Sequence, residues 1–342
     1  MQTAKFRPGK LAPELLQRLI GGVKVRDDRV LVGPGIGIDA AVIEFGDTCL
    51  VAKTDPITFA AEEIGWYAVQ VNANDIACLG ARPKWFMATV LLPEGQADEQ
   101  MAAAIFNQLE SACSDIGVTI IGGHIEITHD LSRPIVVGEM LGEVEKGRIL
   151  TSAGAREGDH LILTKGIPLE GASIIAREKR EHLLRRGLPG ELLAKCSNYL
   201  RDPGIGVVRE ALLAAETPGV HALHDPTEGG LATGLHELAL AAGVGIVVEE
   251  SKIPFLFEAA PLWEEFGLDP LGIIASGSLL VSVAPEAADG LAQRIREDGV
   301  AAEVIGRVTK AEEGVRIVRE SGTEPLRRFD SDEITKIFEG EE

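Results

Sequence analysis

The sequence predicts a mixed α/β fold of the α+β type, arranged as two domains. The chain has 342 residues, 45% of them hydrophobic, which is enough to bury two cores. Segments with helical periodicity alternate with short apolar segments that often form hairpin-like pairs. Around residues 142–158 the pattern becomes charged and rich in glycine, which predicts a boundary between two halves.

The predicted boundaries follow from this change of pattern. An N-terminal tail with a helix is expected over residues 1–30, followed by a first domain over 31–145. A second domain is expected over 155–320 and a C-terminal tail over 321–342.

Elements of the first half can be placed from periodicity and turn signals. They are a helix after Pro13, strands at 30–32, 40–45 and 48–54, a helix from near Ala61, a strand at 85–92, a helix at 97–116, and strands at 118–121 and 134–141.

Elements of the second half follow from the same signals. They are a strand at 159–164, a mostly helical stretch over 171–200, a helix at 209–215, a helix ending at 242, a strand at 245–250, and strands at 279–283 and 302–305 on either side of a helix at 285–297.

Composition restricts the class of protein. No uncharged apolar run approaches the roughly 18 residues of a membrane span, and the N-terminus lacks the apolar core of a signal peptide. A net charge of −20 disfavours nucleic acid and anionic membranes as partners. The cysteines have no paired spacing, so we expect a reducing, cytoplasmic location; they are Cys49, Cys78, Cys113 and Cys196.

The helix that begins near Ala61 carries an unexpected polar cluster. Asn72, Asn74 and Asp75 interrupt its apolar pattern, although short polar side chains are poor helix formers. Asn72 and Asp75 share one face. Two interpretations remain open here: a solvent-facing patch or local cap, and a site for a cation or phosphate.

Three aspartates are candidate cation ligands. Asp39 follows a glycine-rich turn, Asp55 ends a strand, and Asp75 lies in the polar cluster. Mg²⁺ takes oxygen ligands, usually one or two carboxylates together with substrate phosphates. Each aspartate could instead cap a turn or a helix.

The glycine-rich turn at 33–37 superficially resembles a dinucleotide-binding motif. That motif must open a helix whose N-terminus holds the pyrophosphate. Here the following segment, 40–45, has the pattern of a strand. The sequence therefore argues against a Rossmann site.

Two further motifs could bind phosphate. Gly122 and Gly123 follow a strand and would let a ligand approach the backbone, with His124 as a phosphate-orienting group or an acid or base. The loop 225–230 leads into a helix and its glycines would expose N–H groups to an anion. A structural histidine and a simply capped helix are the respective alternatives.

Read in order, these pieces resemble the PurM-like superfamily of ATP-binding proteins. That superfamily includes AIR synthase, selenophosphate synthetase, thiamine-phosphate kinase and the hydrogenase maturation protein HypE, and the second half is most similar to HypE. The matching pieces are Asp39-Ala40-Ala41-Val42, Lys53-Thr54-Asp55, Asn74-Asp75, Gly80-Ala81-Arg82-Pro83, Gly122-Gly123-His124 and His224-Asp225-Pro226-Thr227-Glu228-Gly229-Gly230.

The resemblance implies an N-terminal α/β domain whose sheets pair in a homodimer, an α+β C-terminal domain, and ATP with Mg²⁺ in the cleft. It implies metal and phosphate acids at Asp39, Asp55 and Asp75. The implied catalytic residues are His124, Lys53 and Asp225, and the implied nucleotide- or substrate-binding residues are Asn74, Gly122, Gly123, Thr54, Thr227, Gly229 and Gly230.

The sequence also departs from these relatives. HypE has a C-terminal cysteine that receives the carbamoyl group, whereas the last cysteine here is Cys196. Ile38 replaces a second acid, Glu228 stands where HypE tends to have arginine, and Ile125 replaces a usual threonine. The N-terminal tail offers no cysteine nucleophile of the selenophosphate synthetase type.

Three hypotheses for function follow. The first is an ATP- and Mg²⁺-dependent enzyme that activates a carbonyl, amide or phosphate oxygen of a small substrate by phosphoryl transfer. The second is a small-molecule kinase of the thiamine-phosphate kinase type, and the third is a non-catalytic, nucleotide-binding homodimeric scaffold. A maturation-partner protein is a further expected partner.

Overall fold

The computed structural model describes residues 11–338, except residue 12, residues 36, 37 and 39, residues 59–62 and residue 330. The predicted metal ligand Asp39 therefore lies outside the described residues. Within the described part, the chain forms two α/β units, each built on one sheet.

The first unit is a sheet with helices on one face. Its strand order is β1-β2-β3-β6-β4-β5, in which β4 and β5 are parallel and the other neighbours are antiparallel. The strands are β1 Val30–Val32, β2 Ala41–Phe45, β3 Thr48–Ile57, β4 Arg82–Pro93, β5 Thr119–Thr128 and β6 Ile135–Glu145, and the helices are α1 Pro13–Ile20, α2 Ile64–Cys78 and α3 Glu99–Asp115.

The central helix α2 is buried on nearly all sides. It packs on β3 and β6, against α3, and against elements of the second unit. Every residue of α2 except Val71 is buried, so α2 is enclosed although it also carries polar residues. Asn72, Asn74 and Asp75 are among those buried residues, so the solvent-facing interpretation of the polar cluster is wrong.

The second unit is a larger mixed sheet. Its order is β13-β12-β9-β11-β7-β10-β8, antiparallel except for β12 and β9. The strands are β7 His160–Thr164, β8 Val220–His224, β9 Gly245–Glu249, β10 Leu280–Val283, β11 Ala302–Thr309, β12 Val315–Arg319 and β13 Gly322–Pro325.

Helices cover the second sheet and link it to α2. They are α4 Leu169–Glu178, α5 Arg180–Arg185, α6 Gly190–Ser197, α7 Val208–Ala215, α8 Gly230–Ala242, α9 Ala260–Glu264 and α10 Pro285–Glu297. One core is continuous from the first unit into the second, since Ile64 and Tyr67 belong to the same buried cluster as Leu169 and Ile273. No described helix has the length and apolarity to span a bilayer.

Several boundaries differ from those predicted. The strand predicted at 118–121 continues to Thr128 as β5, because its glycines stay in the ladder with β4. The helical stretch predicted over 171–200 is divided into α4, α5 and α6. Strand β13 and a 3₁₀ turn at Glu333–Ile337 lie in the segment predicted as a C-terminal tail.

Candidate active site between strand β3 and helix α2

A lysine and two aspartates meet between the first sheet and its central helix. Alternate residues of a strand point to the same face, so Lys53 and Asp55 of β3 both face α2. Lys53 Nζ lies 2.6 Å from Asp75 Oδ2 and 3.5 Å from Asp55 Oδ2. The side chains of Lys53 and Asp75 are only 17% and 7% exposed, so the charges attract each other in a poorly hydrated setting.

Asn72 lies one turn before Asp75 on the same helix. Its Nδ2 donates to the carbonyl of Ala68 at 2.8 Å and lies 3.4 Å from the carbonyl oxygen of Asp55. Its Oδ1 is buried and accepts no hydrogen bond. A buried amide oxygen without a donor is energetically costly, which makes Asn72 a candidate for contact with a bound ligand.

These oxygens suit a magnesium ion that arrives with a nucleotide. The carboxylates of Asp55 and Asp75 share one cation, Lys53, and two carboxylates completed by phosphate oxygens are a usual Mg²⁺ environment. Among the described residues, no group of three or more His, Cys, Asp or Glu side chains could hold a metal alone. Asp55 and Asp75 are therefore the described carboxylates that could hold Mg²⁺ together with phosphate oxygens.

Asn74 faces the second unit. Its Nδ2 donates to the carbonyl of Ile205 and its Oδ1 accepts from the N–H of Val207, both at 2.8 Å. The amide is 1% exposed. Both polar atoms of Asn74 are thus engaged in joining the two units, and its nucleotide-binding role remains a prediction.

Lys165 contacts the same backbone segment, residues 204–207, that Asn74 contacts. Lys165 Nζ donates to the carbonyls of Gly204 and Gly206 and lies 2.9 Å from Glu210 Oε1. Both side chains of this ion pair are buried. Residues 204–207 are therefore fixed between Asn74 and Lys165, which sets the position of α7 against α2.

Asp225 joins the second unit to the end of α2. Cys78 Sγ donates to Asp225 Oδ1 at 3.4 Å, in a buried contact. Cys78 and Asp75 are three residues apart and therefore lie on one face of the helix. Asp225 therefore contacts α2 at a residue about one helical turn beyond Asp75.

Thr54 and His124 lie on the opposite face of the first sheet. Thr54 alternates with Lys53 and Asp55, and its hydroxyl donates to the carbonyl of Gly138 at 2.9 Å. Pro56 lies on the same face of β3 as Thr54. It pairs with Val137 of β6, Val137 pairs with Thr89 of β4, and Thr89 pairs with His124 of β5. Aligned residues share a face, so the His124 side chain points away from the cluster on the α2 side.

The glycines Gly122 and Gly123 lie in the edge strand, away from the cluster. Gly123 pairs with Ala88, Ala88 pairs with Gly138, and Gly138 pairs with Asp55. Gly123 is therefore three strand spacings, or about 14 Å, from Asp55. A Cβ on Gly123 would be 2.3 Å from the carbonyl oxygen of Ala88, whereas a Cβ on Gly122 would make only ordinary contacts. Backbone packing within the sheet accounts for Gly123.

The loop 225–230 has the left-handed backbone that glycine permits. Gly229 has φ 78° and Gly230 has φ 65°. A Cβ on Gly230 would lie 2.5 Å from the carbonyl oxygens of Leu271 and Ile273. The two glycines are therefore required by the turn into α8, and this turn leaves the N–H of Gly229 available to an acceptor outside the helix.

Sequence reasoning missed the acceptor, which is Asp332. Gly229 N donates to Asp332 Oδ2 at 2.7 Å, and Ile274 N donates to Oδ1 at 3.2 Å. Asp332 also caps the 3₁₀ turn by accepting from Ile334 N. A local signal existed, because an aspartate before an apolar turn is typical of an N-cap, but nothing local indicated the partner 103 residues away.

Two buried carboxyl groups meet at this loop. Burial raises the pKa of Glu170 to about 7 against a hydrogen bond with Ser276, and the carboxylates of Asp332 and Glu228 contribute to this rise. Burial also raises the pKa of Asp332 to about 6, against its three backbone hydrogen bonds. The loop therefore lies beside two acids whose pKa values are raised to about 6 and about 7.

Comparison with known proteins identifies the family. The model of the N-terminal domain of AIR synthase-related proteins matches residues 37–144, and that of the C-terminal domain matches residues 156–319. The chain belongs to the AIR synthase-related family, and its architecture is the two-domain PurM-like fold.

Curated relatives cover most of the chain. A hydrogenase expression/formation protein of Methanocaldococcus jannaschii is 31% identical over 317 residues, 89% of this chain and 90% of that protein. The carbamoyl dehydratase HypE of Rhodobacter capsulatus is 33% identical over 266 residues, 76% and 74% of the two chains. A selenide, water dikinase of Rhizobium meliloti is 31% identical over 323 residues, 85% and 88%.

Solved structures share the fold. A HypE–HypF complex superimposes with a TM-score of 0.74 at 22% identity, over 93% of this chain and 100% of that one. HypE in complex with ATP gives 0.69 at 24% identity, over 93% and 96%. The thiamine-monophosphate kinase relative AaThiL, complexed with AMPPCP and TMP, gives 0.69 at 22% identity, over 89% and 91%.

Proposed function

We propose that this protein is an ATP- and Mg²⁺-dependent enzyme that activates a carbonyl, amide or phosphate oxygen of a small substrate by phosphoryl transfer. The observation that carries the proposal is the shared contact of Lys53 with Asp55 and Asp75 beneath α2. Solved relatives of the same fold hold ATP or AMPPCP, which supports a nucleotide as the ligand here.

The chain's own residues have distinct roles in this proposal. Asp55 and Asp75 would hold Mg²⁺ that accompanies the phosphates, and the Asn72 amide oxygen would orient towards it. Lys53 would then turn from the carboxylates to a phosphate oxygen. Bound Mg²⁺ would supply neutralisation of the charge that develops on the phosphoryl group.

The remaining predicted residues would act on the substrate side or across a dimer. Asp225, one helical turn from Asp75, would face the transferred group together with Thr227 and the turn at 229–230. His124 and Thr54 lie on the other face of their sheet, so any contact with the nucleotide would require a second protomer.

A homodimer is the assembly that the first sheet supports. Strand β5 is an edge strand whose other side has no strand among the described residues, and its side chains are exposed on both faces. Its large apolar residues are Ile120, Ile121, Ile125 and Ile127, exposed by 37–63%. An exposed apolar edge strand is a ready surface for pairing with a second copy.

A small-molecule kinase is the second candidate. The similarity to AaThiL bound to AMPPCP and TMP favours it, because the two folds align over most of both chains. A maturation-partner protein is a further proposal, motivated by the shared fold with the HypE subunit of the HypE–HypF complex.

Calorimetry followed by a turnover assay tests the proposal. We expect ATP to bind in the presence of Mg²⁺, and we expect ADP release to rise with one member of a panel of small amides, carboxylates and phosphate esters. Failure of ATP to bind would contradict both enzyme hypotheses. Binding of ATP without ADP release across the panel would favour the scaffold.

A further inference from the structure

Helix α1 carries an apolar stripe that does not join the cores of the described chain. Leu15 with Leu19, and Leu16 with Ile20, are four residues apart and therefore lie along one side of the helix. None of the four belongs to a buried hydrophobic cluster or packs against one, and Leu19 is 58% exposed. Isolated helices shorter than about 12 residues are marginally stable in water, so we expect this helix to bury its stripe on another surface.

The opposite edge of the first sheet has an apolar strip that its own helices leave open. Ile125 and Ile127 alternate with Gly123, which pairs through two strands with Asp55, so both side chains point to the face on which α2 lies. They are nevertheless 42% and 63% exposed. Helices α2 and α3 therefore leave the part of this face above β5 uncovered.

The outer side of α3 borders this uncovered strip. Gln108 Oε1 accepts from the N–H of Gly65 at 3.0 Å, so that side of α3 faces α2. Phe106 and Glu110 each lie two residues from Gln108 and point about 160° away from it, because successive helical residues are about 100° apart. Phe106 is 45% exposed. We call this strip the β5 groove, and it is lined by Phe106, Glu110, Ile125 and Ile127.

The helix and the groove carry opposite charge. Residues 94–130 include α3 and β5, and they contain seven acidic residues and no Lys or Arg. All seven are exposed: Glu94, Asp98, Glu99, Glu110, Asp115, Glu126 and Asp130. Residues 15–29 contain four basic and two acidic residues, in a chain whose net charge is −20. The basic ones are exposed, and they are Arg18, Lys24, Arg26 and Arg29.

Building on the homodimer of the proposed function, we propose that α1 of one protomer lies in the β5 groove of a second copy, as a third helix on that face of the sheet. The apolar stripe of α1 would cover Phe106, Ile125 and Ile127, and its basic residues would face the acidic segment 94–130. Such pairing of opposite charges favours this docking over others.

The position of α1 in the chain explains why a second copy is the occupant. Helix α1 leads into β1, and β1 and β5 are the two opposite edges of the first sheet, five strand spacings or about 24 Å apart. One chain thus presents the helix at one edge and the groove at the other. In a two-fold dimer the contact forms twice, because each protomer donates its α1 and receives that of its partner.

Disulfide trapping between two differently substituted chains tests the contact. All four native cysteines are buried, so Leu19→Cys and Ile127→Cys each add one exposed thiol. A tagged Leu19→Cys chain mixed with an untagged Ile127→Cys chain should form a linked dimer under mild oxidation. The yield should be at least about tenfold above that of Leu19→Cys mixed with Leu240→Cys, whose thiol on α8 is equally accessible but has no docked partner.

Two results of the trapping experiment would overturn the proposal. Equal yields from the two mixtures would show that α1 does not lie in the groove of a second copy. An internal disulfide in the double variant Leu19→Cys/Ile127→Cys, without linkage between mixed chains, would show that α1 docks on its own chain. Neither result would affect ATP binding, which is measured separately, and a dimer seen by sedimentation without this linkage would leave the homodimer standing.

A charge reversal tests why the groove accepts this helix. Arg18→Glu combined with Lys24→Glu should raise the dimer dissociation constant at least about fivefold, because the helix would then repel segment 94–130. Arg180→Glu combined with Arg185→Glu changes the net charge equally on exposed α5 and is the matched control. Sedimentation velocity measures both. Equal weakening by the two pairs would contradict a specific contact between α1 and the β5 groove.

Discussion

Lys53 Nζ and Asp75 Oδ2 lie 2.6 Å apart, the first on strand β3 and the second on the buried helix α2. This pair fixes the polar side of α2 over the sheet and leaves Asp55 at the more exposed edge, 3.5 Å from the same ammonium group. A mostly buried charge pair adds little net stability compared with an apolar pair of similar volume, whereas removal of one partner is costly.

The first prediction concerns the stability of this pair. Lys53→Met should lower the free energy of unfolding by roughly 3 kcal/mol, because Asp75 would remain buried without its counter-charge. Adding Asp75→Asn should restore most of this loss. Urea unfolding measures both, and Lys146→Met, which removes an exposed pair with Glu44, should have little effect. Additive losses in the double variant would contradict the coupling.

The second prediction concerns the hydrogen bonds of Asn74 that connect the two units. Asn74→Ala leaves the carbonyl of Ile205 and the N–H of Val207 without partners, at a cost on the order of 3 kcal/mol. We expect the two units to unfold less cooperatively. Urea unfolding followed by tryptophan fluorescence would detect separate transitions, since Trp66 and Trp85 lie in the first unit and Trp263 lies in the second.

The control for Asn74→Ala is a substitution of an exposed asparagine on a helix. Asn107→Ala on α3 should leave stability nearly unchanged, since alanine favours helix and no buried group loses a partner. Equal stability of the two alanine variants would show that Asn74 does not hold the units together.

The third prediction concerns pH. The pKa of Glu170 rises from 4.5 in the unfolded chain to about 7 in the fold, so its protonated form favours folding. This contribution is complete below pH 4.5 and is lost as the pH rises through 7. Glu170→Gln should therefore flatten the decline of thermal stability between pH 5 and 8, while Glu110→Gln on exposed α3 should not. The same slope in both variants would contradict this account.

The fourth prediction concerns the edge strand. Ile127→Lys puts a charge on the exposed apolar edge of β5 and should weaken self-association at least about tenfold, because charged residues block strand pairing. Sedimentation velocity over a concentration series measures this. Leu240→Lys alters an equally exposed residue on α8 and should leave the assembly unchanged. A wild-type monomer would contradict the dimer.

Periodicity and turn signals predicted the two-domain α/β architecture, because buried stripes and glycine turns are local features. The sequence also suggested Asp55 and Asp75 as candidate ligands of one cation, and both contact Lys53, although Asp55 lies inside β3 rather than at the expected strand end. It did not predict that Thr54 and His124 lie on the opposite face, which depends on the register across four strands.

Long-range partners were beyond the reach of sequence patterns. Asn74 forms its hydrogen bonds with a backbone segment more than a hundred residues away in the chain. Asp332 accepts from a turn that is also more than a hundred residues away. Gly123 and Gly230 have packing reasons that appear only when the opposing carbonyl groups are in place. Approach of a ligand to these glycine motifs stays a prediction, whereas backbone carbonyl groups approach Gly123 and Gly230 closely.

The fifth prediction is that ATP and Mg²⁺ bind at the Lys53–Asp55–Asp75 cluster, which isothermal titration with ATP measures. We predict that Mg²⁺ tightens ATP binding to the wild type at least about tenfold, and that Asp75→Asn abolishes this gain while Asp47→Asn, in the exposed β2–β3 turn, preserves it. Equal Mg²⁺-dependent affinity in Asp75→Asn and the wild type would contradict the assignment.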